Sequence, residues 1–217
     1  LPDMRTLARL ALLLLAAALP AQTYPTLVSP RLYEKVDATG QNAFPFSGSN
    51  QFSYQQLHDD LQGRPRFIHE LAFRINLNTK CSARTMNLTL KLTTSPNTSA
   101  TASSTFASNL GPDVKTVISK TTYNWPAQTA SLLVAPFDFK LPFWSSPFLY
   151  KGQGTLCWEV RIHSNTQTSY VMHDAVSTRS HNTKATFGTG CSRKGATLPA
   201  ALTANLTVGA ATNTLAC

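Results

Sequence analysis

The side chains in this chain able to do chemistry are few and scattered. There are ten carboxylates and five histidines in 217 residues. A glycosidase needs two carboxyl groups about 5–9.5 Å apart across a cleft. Glu70 and Glu159 could meet that demand only if their strands are neighbours. Arg74, four residues beyond Glu70, and Arg161, two beyond Glu159, fall on the same strand faces and are equally placed to neutralise them. A serine hydrolase would present its nucleophile on a strained Gly-x-Ser-x-Gly turn or an equivalent, and the chain has none. For metals, the local clusters are His58-Asp59-Asp60 and His173-Asp174. Neighbours on a strand point to opposite faces, which removes the second. Calcium wants hard oxygen ligands, so a structural calcium held by Asp59, Asp60 and backbone carbonyls is the one cofactor candidate. It competes with a plain solvated loop.

Binding chemistry has better material. Sugar sites stack a pyranose face on an exposed aromatic ring flanked by amides and hydroxyls. Trp125 lies between Asn124 and Pro126, and Trp144 precedes Ser145-Ser146; both contexts read as loops. Trp125, Trp144 and Asn124 are therefore the candidate ligand-binding residues, although large aromatics also serve as core material through their buried area. The four cysteines, Cys81, Cys157, Cys191 and Cys217, form no C-x-x-C pair, which excludes zinc-ribbon and thioredoxin-type sites. In an exported chain an even number predicts two disulfides, with three connectivities open. Cys157 sits on the expected wet face of a strand and is paired here with Cys81, leaving Cys191 with Cys217.

The elements that must position these residues are strands. From Phe137 to Ile162 the apolar residues Phe137, Phe139 and Leu141 alternate with polar ones. After a Gly-x-Gly turn, Leu156, Trp158, Val160 and Ile162 alternate with Cys157, Glu159, Arg161 and His163. A period of two marks strands with one buried face. Phe67, His69, Leu71, Phe73 and Ile75 share one face of another strand, and Met86, Leu88, Leu90 and Leu92 line a third. Further strands are expected at Val114–Ile118, at 169–176 and at 185–187. Residues 51–63 read as one or two helical turns or a long loop. No stretch after residue 63 has a helical period, and no internal repeat is visible. Short strands separated by turn signals predict an all-β fold, a single antiparallel β-sandwich of jelly-roll type.

The chain opens on a leader-like pattern. Met4 is followed by the basic residues Arg5 and Arg9, an apolar run from Leu10 to Leu19, Pro20, and small residues ending at Ala21. This predicts a secretory signal cleaved near Ala21, with residues 1–3 an over-extended start. The run is too short to span a bilayer, which takes about 20 apolar residues, so no transmembrane segment is expected in the mature chain. The net charge of +9 comes from Lys and Arg scattered singly. No basic stretch is interleaved with aromatics, which argues against nucleic acid as a partner.

The leader, the LAFRINL strand, STFASNLG, the PF…LPFWSSPFLYKGQGTLCWEVRI core and the terminal FGTGC together resemble a group of uncharacterised exported bacterial β-sandwich proteins. The resemblance covers most of residues 65–191 and rests on structural residues. It implies a jelly-roll-like fold and a secreted, cell-surface or periplasmic location, and it brings no catalytic residue. In similar chains an immunoglobulin-like segment often follows the G-x-G-C motif. The expected organisation is a signal peptide over 1–21, an N-terminal arm with a polar loop or short helix over 22–63, and a β-sandwich core over 64–191. Residues 192–217 are then a tail or the start of a truncated second module. The function expected is that of a non-enzymatic structural or adhesion module at the cell surface or envelope, its partner a surface glycan or another envelope protein. A carbohydrate-binding module using the loop tryptophans is the alternative, and a glycoside or ester hydrolase comes third.

Overall fold

The computed structural model describes residues 26–29, 33–38, 40–43, 45–47, 52–103, 105–129, 132–167, 170–177, 183–187, 191–193, 196–197, 200–206 and 215–216. The leader-like segment and Cys217 lie outside them, as does the side chain of Cys191. The expected Cys191–Cys217 bridge therefore also falls outside the described residues. In chain order the first strands are β1 (Thr26–Ser29), β2 (Gly40–Asn42), β3 (Phe52–His58), β4 (Arg66–Phe73) and β5 (Arg84–Ser95). Next come β6 (Lys115–Trp125), β7 (Phe139–Pro142), β8 (Phe148–Tyr150), β9 (Thr155–Asn165) and β10 (His173–Ser177). The last are β11 (Thr183–Phe187), β12 (Cys191–Arg193), β13 (Ala196–Thr197), β14 (Ala200–Leu206) and β15 (Leu215–Ala216). A single 3-10 turn, Phe106–Asn109, is the helical element among the described residues. The all-β expectation holds.

Two six-stranded sheets and one three-stranded sheet result. In the first, β14 and then β4 follow β1 and β15, and both β7 and β8 pair with β4. The second runs β12-β11-β3-β9-β5-β6, and the small one runs β13-β10-β2. Side chains of both large sheets enter one core. Ile68, Leu71, Phe73, Phe139, Leu141 and Phe148 come from the first, and Tyr54, Leu88, Leu90, Trp158, Val160 and Ile162 from the second. Trp158 is fully buried, stacked on Tyr54 at 5.3 Å and edge-on to Phe73 at 5.5 Å. The alternation predicted for β5 and β9 thus has the right phase. Phe137 is only partly buried and packs with Val28, Ala72 and Tyr33 instead of in the main core.

Three expectations are corrected. Among its described residues the segment Gln51–Gly63 is not helical, and only its end, 59–63, is a loop. Its Phe52–His58 part is a strand between β9 and β11, because Tyr54 faces the core while Gln55, Gln56 and His58 find buried polar partners. On β4 the phase changes midway. Thr203 and Ala204 of β14 oppose Glu70 and Ile68, leaving His69 as an extra residue. Such a bulge lets Ile68 and Leu71, three apart, both face inward, and turns Phe67 and His69 away from the core face they were expected to share with Leu71 and Phe73. On β6 a register shift opposite Leu88 and Leu90 accompanies Lys120 at φ 42°. Val117 and Ile118 are therefore both buried, while Val114 and Thr116 are exposed.

The outer face of the second sheet is not wet along its whole length. The connection after β5 folds back over it, with Asn109 as the fastening. Asn109 Nδ2 donates to Gln55 Oε1 at 3.1 Å and to the Ser103 carbonyl at 2.9 Å. Its Oδ1 accepts from Ser103 N at 2.8 Å and Asn97 Nδ2 at 3.1 Å. This cover explains why Cys157 is buried among Leu57 and Ala102, and not exposed as its alternation suggested.

Candidate functional site

The β4 bulge builds an accessible row of aromatic side chains. β7 and β8 pair with successive parts of β4, Pro142 opposite Glu70 and Phe148 opposite Ile68. The five residues between those partners must arch over the bulge. Phe143 N donates to the His69 carbonyl at 2.8 Å, and Phe143 itself is buried. The next residue, Trp144, lies over the His69 ring at 4.8 Å with an 18° interplanar angle. Trp144 is 46% exposed. Phe67 continues the row, its ring 6.4 Å from His69, and the exposed Leu149 is its register partner. Partial burial lowers the His69 pKa below the ordinary imidazole value, which favours a neutral ring under Trp144. A flat, half-exposed indole braced from behind by a neutral imidazole is a rigid stacking platform.

The other tryptophan candidate does not join it. Trp125 is the last residue of β6, 6% exposed, and packs on Phe139 at 3.8 Å and Tyr123 at 6.0 Å. Its Nε1 donates to the Lys140 carbonyl at 3.3 Å. Pro126 does end the strand, but only after the indole has entered the core. Asn124 is exposed and accepts a bond from Thr85 Oγ1 at 2.8 Å, a cross-strand contact with no relation to Trp144.

The two candidate metal carboxylates are engaged in hydrogen bonds. Asp59 accepts from Ser99 N at 3.0 Å and Thr155 Oγ1 at 2.6 Å, and from the Ser99 hydroxyl. Asp60 accepts from Ser29 Oγ. The two adjacent acids thus serve different elements. No group of three or more His, Cys, Asp or Glu able to hold a metal occurs among the described residues. Glu70 and Glu159 lie on strands of different sheets, so the neighbouring-strand condition for a catalytic pair is not met. Glu159 accepts from Gln55 Nε2 at 2.6 Å and pairs with Lys91 at 3.0 Å, and not with Arg161 as its position on the strand suggested.

Sequence reasoning did not foresee the polar chain around His58. Trp158 Nε1 donates to His58 Nε2 at 3.0 Å, and an indole nitrogen can only donate. Nε2 is therefore the acceptor, and the proton sits on Nδ1, 3.0 Å from Ser29 Oγ. Ser29 in turn donates to Asp60. A serine, a histidine and an aspartate are in line, but in the wrong order for catalysis. The carboxylate holds the hydroxyl where a triad would place it on the imidazole, and Ser29 and His58 are fully buried.

Cys81 and Cys157 are free thiols in separate clusters, so the expected Cys81–Cys157 bridge is not formed. The physical reason is the cover described above: Cys157 is sealed under the β5–β6 connection, while Cys81 lies beside Ile75, Ala135 and Val171. Among the described residues no helix is long and apolar enough to cross a membrane. Comparison of the chain with family models, with curated proteins and with solved structures returned no match.

Proposed function

We propose that this chain is a non-enzymatic, exported β-sandwich module of jelly-roll type that adheres at the cell surface or envelope by binding a glycan. The observation that carries the reading is the half-exposed Trp144 stacked on His69 beside Phe67 and Leu149. A sugar ring presents a face of C–H groups to such an indole, and exposed Ser145 supplies a hydroxyl beside it. The engagement of Asp59, Asp60 and Glu159 in structural bonds supports a binding role over a hydrolytic one. Export is supported by the leader-like pattern at residues 4–21, and the sandwich arrangement by the core that the two large sheets share.

The test is a glycan-array screen of the protein alongside Trp144→Ala. The expected result is binding to a glycan class that weakens roughly tenfold or more in the variant, as for truncation of an aromatic hot spot. The circular dichroism spectrum should stay unchanged, since Trp144 is a loop residue. Binding unaffected by Trp144→Ala would remove this face from the argument. No binding to any glycan would leave a protein-binding structural module as the better reading. Turnover of a glycoside or ester would overturn the non-enzymatic assignment.

A further inference from the structure

The four residues from Cys81 to Arg84 hold a thiol beside a buried cation, outside the Trp144 platform. Cys81 and Gln128 exchange two backbone hydrogen bonds of 2.9 Å. This fixes the Cys81 backbone just before β5. Arg84 Nη1 donates to Cys81 Sγ at 2.7 Å. The same guanidinium lies 4.2 Å from the Phe139 ring centre and 5.7 Å from that of Trp125. Arg84 is 3% exposed, and its Nε and Nη2 are buried with no hydrogen-bond partner. Among the described residues no carboxylate pairs with it; Arg74–Asp174 and Lys91–Glu159 are ion pairs elsewhere. A guanidinium does not give up its proton in proteins, and a buried charge without a counter-charge is strongly disfavoured. Burial lowers the Arg84 pKa to about 10, and Cys81 works against that fall. The sulfur is the group in contact with Arg84 that can supply negative charge.

We propose that Cys81 is a nucleophilic modification site, its thiolate matched by the Arg84 guanidinium, which reacts with hydroperoxides to form a sulfenic acid. The thiol first loses its proton to solvent. Sγ then attacks one peroxide oxygen, an S–O bond forms as the O–O bond breaks, and hydroxide or alkoxide leaves and is protonated. The sulfur is oxidised by two electrons and the peroxide is reduced by two. As the negative charge leaves the sulfur, Arg84 can donate to the new oxygen instead. Cys81 is 6% exposed and its neighbours Ser82 and Ala83 are exposed, so the thiol lies in a segment that borders solvent, where a small oxidant is the reagent to test. Cys157 provides an internal contrast. It is fully buried, and burial together with Glu159 raises its thiol pKa, so it should stay inert.

The experiment treats the reduced, folded protein with hydrogen peroxide, traps sulfenic acid with dimedone and maps the label by peptide mass spectrometry. The expected result is label at Cys81, none at Cys157, and a faster reaction at Cys81 in the folded protein than in urea. A thiol that was merely buried would react more slowly when folded, and that outcome would overturn the proposal. In Arg84→Met, labelling of Cys81 should fall roughly tenfold, with Arg84→Lys restoring part of it. Equal labelling in a folded Arg84→Met variant would also overturn it. If Arg84→Met does not fold, the folded-against-urea comparison on the unaltered protein still decides.

Discussion

His58 shows how a single titratable side chain is turned to structural use. Its Nε2 takes the Trp158 N–H and its Nδ1–H faces Ser29, so protonation would set two donors against each other at Nε2. Full burial is the main cause that holds the pKa at about 3 against an ordinary 6.5, and the clash at Nε2 acts in the same direction. The unfolded chain accordingly takes up a proton near pH 6.5 that the native state refuses, and stability falls as the pH drops from there toward 3. The slope from this one group reaches about 1.4 kcal/mol per pH unit. Urea unfolding at pH 7 and pH 5 should show a lower midpoint at pH 5. His58→Gln, which removes the titration, should be less stable at pH 7 and show a flatter dependence between the two. An unchanged pH dependence in His58→Gln would mean that the loss belongs to other groups. The sequence placed His58 in the most polar cluster of the chain but offered no sign of its partners. Trp158 and Ser29 are 100 and 29 residues away, and no local pattern encodes such contacts.

At the scale of elements, most strands were legible because period-two burial is a local property. β5 and β9 came through in the correct phase for that reason. β4 and β6 did not, since a bulge inserts a residue without any change in composition. The stretch STFASNLG was visible as a motif but not as a fastening. Its Asn109 reaches Gln55, and Gly111 lies against β5. A Cβ on Gly111 would come 1.9 Å from the Thr94 carbonyl oxygen, and the Gly111 N–H donates to Thr93 Oγ1 at 2.9 Å. Asp113 braces the same place through Thr93 Oγ1 and Thr94 N, both at 2.8 Å. Backbone cannot yield here as a flexible side chain could. Gly111→Ala should therefore cost about 3 kcal/mol or more, at the upper end of single substitutions, measured by chemical denaturation. It should also raise the reactivity of Cys157, because the connection that seals that thiol begins to lift. A loss under about 1 kcal/mol would show that the close approach is easily relieved.

Across the whole molecule, Arg74 and Asp174 reinforce a junction that the backbone makes through an isolated bridge, Ile75 opposite His173, with Asp174 N donating to the Arg74 carbonyl at 3.2 Å. Arg74 follows β4 in the first large sheet, and Asp174 belongs to β10 in the small sheet. They form a salt bridge, with Arg74 Nε donating to Asp174 Oδ2 at 2.6 Å. The remaining bonds of both groups go to the segment before β2. Arg74 Nη2 donates to the Val36 carbonyl at 2.6 Å, and the Ala38 N–H donates to Asp174 Oδ1 at 2.9 Å. The Phe137 ring lies 4.8 Å from the guanidinium. Sequence alternation suggested Glu70 as the neighbour of Arg74, four residues away, whereas the partner used is 100 residues away. With both groups almost completely out of solvent, the pair owes its net value to the completeness of its bonds. Removing one member leaves an uncompensated charge, at a cost of about 3–5 kcal/mol, while replacing both with apolar residues costs far less. Asp174→Asn should thus lower the unfolding free energy by that amount and expose residues 33–38 to limited proteolysis. Arg74→Met combined with Asp174→Leu should recover much of the stability but little of the protease resistance, because the bonds to Val36 and Ala38 stay broken. Single and double changes that simply add would show that the two side chains act independently.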